Sequence, residues 1–175
     1  MSILKVAKLG HPVLLKKGIE INDFSSDSLK NIIYNMSETM IDYNGIGLAA
    51  PQVHISKRIV IFRNPDREEG QKINITPLIN PVFNPISKET EDDWEGCLSI
   101  PGMQGLVRRF KKINYSGFDL DGNKINNTAE GLHARVVQHE IDHLNGILYT
   151  DRLVDKKAFG FEKEIVEFWK NEEKR

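Results

Sequence analysis

Cysteine occurs once in these 175 residues, as Cys97, so no intrachain disulfide can form and a disulfide-stapled secreted scaffold is excluded. No apolar run approaches the length of about 18 residues that a membrane-spanning helix needs. The stretch from Met1 to Lys8 also lacks the apolar core of a secretory signal. Neither sign of charge dominates, with 24 Lys+Arg against 25 Asp+Glu. That balance argues against a nucleic-acid binder, whose electrostatic footprint is a basic stripe. The short basic run Arg108-Arg109-Phe110-Lys111-Lys112 reads instead as a solvated strand face. There are no internal repeats and no low-complexity tracts. With 39% hydrophobic residues, the expectation is one compact domain over 1–175, working in the reducing cytoplasm.

The pattern of apolar residues divides the chain into helix and sheet. Gly10 to Leu14 reads as a turn into an extended segment, with His11 given no role. Ser25 to Ser28 offer N-caps to a helix whose apolar positions Leu29, Ile32, Ile33, Met36 and Met40 follow the 3.6-residue period, ending near Asn44-Gly45. Arg58 to Phe62 is a β-rich strand, followed by a charged loop from Asn64 to Gly70. Pro77, Pro81 and Pro85 suit an edge strand or an extended rim, because proline cannot donate to a ladder. Gly105 to Leu120 and Lys124 to Asn127 flank Asp121-Gly122, a hairpin turn dipeptide between antiparallel strands. Phe159, Phe161, Ile165, Val166, Phe168 and Trp169 predict an amphipathic C-terminal helix.

One stretch carries metal chemistry in its spacing. In Gln138-His139-Glu140-Ile141-Asp142-His143 the two histidines stand four apart, so on a helix both imidazoles face one ion while Glu140 lies beside them as a proton carrier. Leu132 and Val136 share the histidine face, and Asn145-Gly146 supplies a helix stop. Two histidines alone are also compatible with core residues bonded to the backbone. A catalytic site of this kind uses three protein ligands and keeps one position open. The lone Cys97, in a Gly-Cys turn ahead of Pro101, is a candidate third ligand, although a single cysteine equally serves as a small buried hydrophobe. The small-residue run Gly45-Ile46-Gly47-Leu48-Ala49-Ala50-Pro51-Gln52 fits either a packed loop or the wall of a site along which a peptide lies.

In their order and spacing, this run, Glu95-Gly96-Cys97-Leu98-Ser99 and Gln138 to His143 together resemble the peptide deformylase family of bacterial type, over about Val6 to Leu153. The resemblance implies an α+β fold with mainly antiparallel sheets packed around a central metal-binding helix, and a C-terminal helix and tail over 154–175. It implies removal of the N-formyl group from N-formylmethionyl peptides of newly made proteins, with release of formate. Cys97, His139 and His143 become the metal ligands and Glu140 the general acid/base. Gln52 and the backbone N–H of Leu98 face the formyl oxygen. Gly45, Ile46, Gly47, Glu95, Leu132 and Val136 are expected on the substrate side, with Ile46, Leu132 and Val136 lining the methionine pocket. Asp142 is expected to accept from a ligand imidazole or to pair with Arg109, and Glu95 to orient ligands. The implied cofactor is one Fe2+ per chain, with Ni2+, Co2+ or Zn2+ as substitutes. The implied partners are nascent formylated chains at the ribosome exit, with no membrane and no specific nucleic acid, for a monomeric protein. Gln104 stands where some family members carry Arg, which puts in doubt a charged contact to substrate from that position.

Two other readings use the same residues. A metallopeptidase would draw its third ligand from downstream of the helix, where this chain has carboxylates but no His. A noncatalytic metal-stabilised module would need a fourth ligand from His11, His54 or His133.

Overall fold

The computed structural model describes residues 2–63 and 74–169. The loop expected from Asn64 to Gly70 lies outside the described residues, as do 170–175 of the expected tail. Two antiparallel sheets and two main helices make up the fold. Strands β1 (Gly47–Ala49), β2 (Ile59–Arg63), β3 (Ile75–Pro85), β6 (Lys112–Phe118) and β7 (Lys124–Glu130) form one sheet in the order β1-β2-β3-β6-β7. Strands β4 (Thr90–Cys97), β5 (Ile100–Phe110) and β8 (Phe159–Phe161) form the other, in the order β4-β5-β8.

Helix α1 (Asp27–Asp42) starts where its sequence says it should: the Ser26 side chain accepts from the Ser28 N–H, which caps the first turn. Its buried stripe of Leu29, Ile33, Met36 and Met40 packs with Leu48, Ile59, Ile61 and Ile79 of the larger sheet. Helix α2 (Gly131–Leu144) touches the larger sheet and also β5 of the smaller one. Every residue from Ala134 to Leu144 is buried, an unusual state for a helix carrying two His, an Arg, a Glu and an Asp. Val136, Val137, Ile141 and Leu144 supply its apolar packing, against Val60, Phe62, Leu78, Ile113 and Tyr115. The helix stops at Asn145, with Gly146 in the left-handed region at φ 73°.

Several local expectations need correction. The three prolines sit in an interior strand, not an edge: β3 pairs with β2 on one side and β6 on the other, and a register shift between Ile79 and Val82 absorbs Pro81. A bulge is the place in an interior strand where a missing N–H does no harm. Pro12–Leu15 is a short 3-10 helix, with His11 capping it by accepting from the Val13 N–H, and not an extended segment. The stretch read as one strand from Gly105 to Leu120 divides at Lys111, β5 belonging to one sheet and β6 to the other. The basic run at that division is also only partly solvated, for Arg109 is buried. Finally, Phe159 and Phe161 lie in β8, and the helical part of the described C-terminal segment is confined to an α-helical turn Glu162–Glu164 and a π-helical turn Ile165–Trp169. The element expected there as one helix is a strand followed by two short turns.

Candidate metal centre and active site

Cys97 ends β4, and the chain reverses through Leu98 and Ser99 into β5. The register jumps at this hairpin: Gly96 pairs with Gln104 but Cys97 with Ile100, so Pro101, Gly102 and Met103 bulge out. Gly102 makes this possible with a φ of +74°. The jump leaves Cys97 facing α2. Its Sγ lies 3.3 Å from His143 Nε2, and His143 Nε2 lies 3.2 Å from His139 Nε2. Among the described residues these three form the cluster able to hold an ion, their ligand atoms all within 4.8 Å of one another.

The chemistry of these donors can be worked out from their partners. Glu95 is buried and accepts from Arg109 Nε at 2.9 Å and Arg135 Nη1 at 2.8 Å through Oε1, and from Arg109 Nη2 at 2.9 Å through Oε2. Burial alone would push its carboxyl up, but the bonds from Arg109 and His139 hold it below the usual carboxylate range. It is therefore ionised and can only accept, so His139 Nδ1, 2.9 Å away, must donate to it. His139 Nε2 then faces His143 Nε2 and Cys97 Sγ, where it can share a proton with the sulfur or, once a cation displaces that proton, offer its lone pair. Burial opposes a thiolate at Cys97, yet the His143 and His139 imidazoles outweigh it and hold the thiol well below its ordinary value, while burial opposes a charged His139 but Cys97 and Glu95 hold that imidazole well above its own. Donor atoms converging at such separations repel unless a proton or a cation lies among them. One thiolate and two imidazoles suit a borderline divalent transition metal, and three ligands leave a position open for reaction. The residues fit a catalytic metal.

Charge behind the ligands is closed into a network. Asp142 accepts from Arg109 Nη1, and from Arg152 Nη2 at 2.7 Å. Of the two roles open to Asp142, the structure has it pair with Arg109. Arg135 also donates to the Val107 and Glu91 carbonyls at 3.0 and 2.9 Å. Neither Arg135 nor Arg152 stands out in the sequence. The one available signal for Arg135 is its place four residues before His139 on a helix face that the motif requires to be buried.

On the open side lies a cavity of about 490 Å³ whose walls include Gly45, Ile46, Gly47, Gln52, Cys97, Leu98, Leu132, Val136, His139 and Glu140. Every residue singled out for substrate, donor or proton transfer is on this wall. Glu95 also borders it, but both of its carboxylate oxygens are taken by His139 and the arginines, so it does not present a free group to a substrate. Leu132 and Ile46 are half-exposed toward the mouth, whereas Val136 is buried. The Gln52 amide is fixed at both ends. Its Oε1 accepts from the Ala49 N–H at 2.8 Å, while Nε2 points to Cys97 Sγ at 3.3 Å and Ser99 Oγ at 3.2 Å. Glu140 Oε2 and His143 Nδ1 are buried without a hydrogen-bond partner. Burial raises the Glu140 carboxyl to about 7, against the pull of the two imidazoles.

The candidates for a fourth ligand lie elsewhere. His11 and His54 stack edge to face at 4.7 Å, and His133 packs on Phe62 and Tyr115. No carboxylate downstream of His143 joins the cluster among the described residues. Among those residues, too, no helix is long and apolar enough to cross a membrane.

Comparison with known proteins places this chain in a family. The polypeptide deformylase family profile matches residues 3–159. Peptide deformylase 1 of Nitrosomonas europaea is 46% identical over 162 residues, covering 91% of this chain and 92% of the relative. The crystal structure of peptide deformylase from Thermotoga maritima superposes with a TM-score of 0.82 at 37% identity, over 89% of this chain and 100% of that one. The Met-Ala-Ser-bound class I type b peptide deformylase from Acinetobacter baumannii superposes with a TM-score of 0.77 at 37% identity, over 87% and 99% of the two chains. A metal-capable Cys/His/His cluster on this fold, matched over nearly its whole length, establishes that the chain belongs to the peptide deformylase family.

Proposed function

We propose that Cys97, His139 and His143 hold the metal, that Glu140 moves the proton, and that Gln52 and the Leu98 N–H stabilise the charge that develops on the substrate. The protein is a metal-dependent hydrolase of the peptide deformylase family, removing the N-formyl group from newly made peptides. The observation that carries the residue assignment is the pair of imidazole Nε2 atoms 3.2 Å apart beside a thiolate, with the proton of His139 drawn onto Nδ1 by Glu95. When bound there, a divalent cation supplies Lewis acidity and lowers the pKa of water in the site.

The chain's own residues do the rest. The peptide backbone runs past Gly45, Ile46 and Gly47, where the edge of β1 is open, and the methionine side chain enters between Ile46, Leu132 and Val136. The occupancy of the related Acinetobacter baumannii enzyme by Met-Ala-Ser supports a product of this kind. As the formyl oxygen gains negative charge, the Leu98 N–H donates to it and Gln52 Nε2 turns to it the N–H otherwise given to Ser99 Oγ, each donor worth roughly a hundredfold in rate. Glu140, buried and unpartnered at Oε2, takes a proton from water and passes it to the departing amine. Glu95 acts from behind, keeping the His139 proton on Nδ1. The whole chain works as a single catalytic domain.

The reading extends to Fe2+ as the native ion, since a thiolate-bearing site is open to a cation that changes coordination readily, with Ni2+, Co2+ or Zn2+ as replacements. It extends also to a monomer in the cytoplasm, meeting formylated chains at the ribosome exit. Formate release from formyl-Met-Ala-Ser tests the reaction. Glu140→Ala should keep one metal per chain and lose about 100- to 10,000-fold in rate, whereas metal and rate lost in proportion would make Glu140 structural. Protein purified without oxygen should contain iron and lose activity in air, by oxidation of Fe2+ or of the Cys97 thiolate. A zinc form as fast as the anaerobic iron form, and stable in air, would overturn the assignment of iron.

A further inference from the structure

The segment Ala7–Leu9 is tied to both walls of the centre. Its Ala7 N–H donates to the Gln52 carbonyl at 2.7 Å, and its Leu9 N–H donates to the Ser99 carbonyl at 2.8 Å. Between them the Lys8 ammonium reaches over the Tyr43 ring, 5.5 Å from its centroid, and donates to the Leu98 carbonyl at 2.8 Å. That carbonyl belongs to the same peptide unit as the Ser99 N–H, and the Ser99 N–H donates to Cys97 Sγ at 3.4 Å. A cation, a peptide dipole and a thiolate are thus aligned in one chain of hydrogen bonds.

We propose that Lys8 is a positioning residue of the metal centre, which polarises the Leu98–Ser99 peptide and so strengthens the hydrogen bond that the Ser99 N–H makes to the Cys97 thiolate. Hydrogen bonds in series polarise one another, by roughly 10–30% for each bond. A charged donor on the carbonyl makes the N–H of that peptide a better donor at its other end. A thiolate holding a stronger hydrogen bond gives less of its charge to a cation, which stays more electrophilic; groups behind a ligand tune a site in this way. The Gln52 amide donates to the same sulfur at 3.3 Å, so the Ala7–Leu9 segment is bonded to the backbone of both non-histidine groups that hydrogen-bond the thiolate. Because Lys8 is itself exposed, solvent screens its charge and the effect should be a tuning, not an on/off switch.

The inference rests on Cys97 being a ligand, and the test separates the two. The Co2+-loaded protein is compared as wild type, Lys8→Met, Lys8→Arg and Cys97→Ala, reading the thiolate-to-cobalt charge-transfer band together with kcat and KM for a formyl-Met peptide. Lys8→Met should keep its fold and bind cobalt, move the band to longer wavelength as the sulfur lone pairs rise in energy, and lower kcat about 2- to 10-fold at nearly constant KM. Lys8→Arg, which keeps a cationic donor to the Leu98 carbonyl, should restore both band and kcat. A Lys8→Met band coincident with that of wild type would overturn the relay, whatever the rate does, as would a loss confined to KM. A wild-type protein with no such band, or a band that survives in Cys97→Ala, would overturn the ligand assignment itself.

Discussion

Replacing Glu95 by Gln changes one atom of the buried network and should damage the metal centre from behind. The glutamate accepts four hydrogen bonds, from Arg109 twice, from Arg135 and from His139 Nδ1, with its side chain 4% exposed. A glutamine can keep its oxygen toward Arg109 Nε and Arg135, but its NH2 group then meets Arg109 Nη2 and the His139 Nδ1–H, donor against donor. The cheapest escape is for His139 to move its proton to Nε2, the atom that must offer a lone pair. Uncoupling one member of a buried ion pair costs about 3–5 kcal/mol. Here the low end applies, because Arg109 keeps Asp142 and Arg135 keeps two backbone carbonyls. A loss of about 3 kcal/mol in a chain of this length lowers Tm by roughly 6–12 °C. Metal affinity should fall about 10- to 100-fold, as for other residues that orient a ligand.

The assay is competition for the bound ion with a chelator, run beside thermal unfolding of metal-free and loaded protein. Formate release at saturating metal then gives the rate of the centre once filled. Glu95→Gln protein that binds metal within about twofold of wild type would refute the argument, because the bond from His139 Nδ1 to Glu95 would then not be what keeps the Nε2 lone pair free.

Gly47→Ala should disable Glu140, the proposed proton carrier, because a Cβ built there overlaps its Oε1 and falls 2.9 Å from its Cγ, and the carboxylate must turn away; metal content kept and rate lost is the expected pair, and unchanged turnover would count against it. Val136→Phe should cut turnover of formyl-Met peptides far more than it lowers Tm or metal content, since Val136 is on the cavity wall beside His139 and Glu140 as well as in the core; equal activity would remove it from the methionine pocket. Met36→Ala, fully buried in the α1 core and away from the cavity wall, should cost about 2–5 kcal/mol of stability while the surviving folded protein keeps its kcat.

Much of this molecule is legible locally because its physics is local. The run from Gly131 to His143 has a 3.6-residue period and a glycine stop, and the structure has α2 over those residues. Ser26 and the Leu29, Ile33, Met36, Met40 stripe announce α1 in the same way. What could not be read depends on contacts distant in the chain. Proline in β3 is permitted by a register shift that only the neighbouring strands define. The split of the Gly105 to Leu120 stretch reflects which sheet each half joins, which the alternation of side chains does not encode. Phe159 and Phe161 precede the apolar pattern of Ile165 to Trp169 but stand two apart, a strand spacing and not a helical one, and β5 offers their backbone a ladder. Arg109 looked solvated for the same reason: its partners, Glu95 and Asp142, are 14 and 33 residues away.

The burial of so much charge around α2 makes sense when the groups are taken together. Glu95 and Asp142 carry two negative charges, and Arg109, Arg135 and Arg152 three positive ones, leaving +1; the Cys97 thiolate brings the sum to zero. Each of these carboxylates is held by at least two cationic or imidazole donors, so the cluster avoids the cost of an unpaired buried charge. Glu140 is outside this arrangement. It is on the same helix and as deeply buried, but Oε2 has no partner, and the neighbouring surface is the backbone of Gly47, with no side chain to neutralise it. Burial therefore outweighs the pull of the two imidazoles on Glu140, whose carboxyl stands near 7, while that of Glu95, one network away, is held low by its hydrogen bonds. The fold thus separates two glutamates by their surroundings alone, locking one behind the Cys97, His139 and His143 cluster as a fixed acceptor and leaving the other facing the cavity, where it can gain and lose a proton.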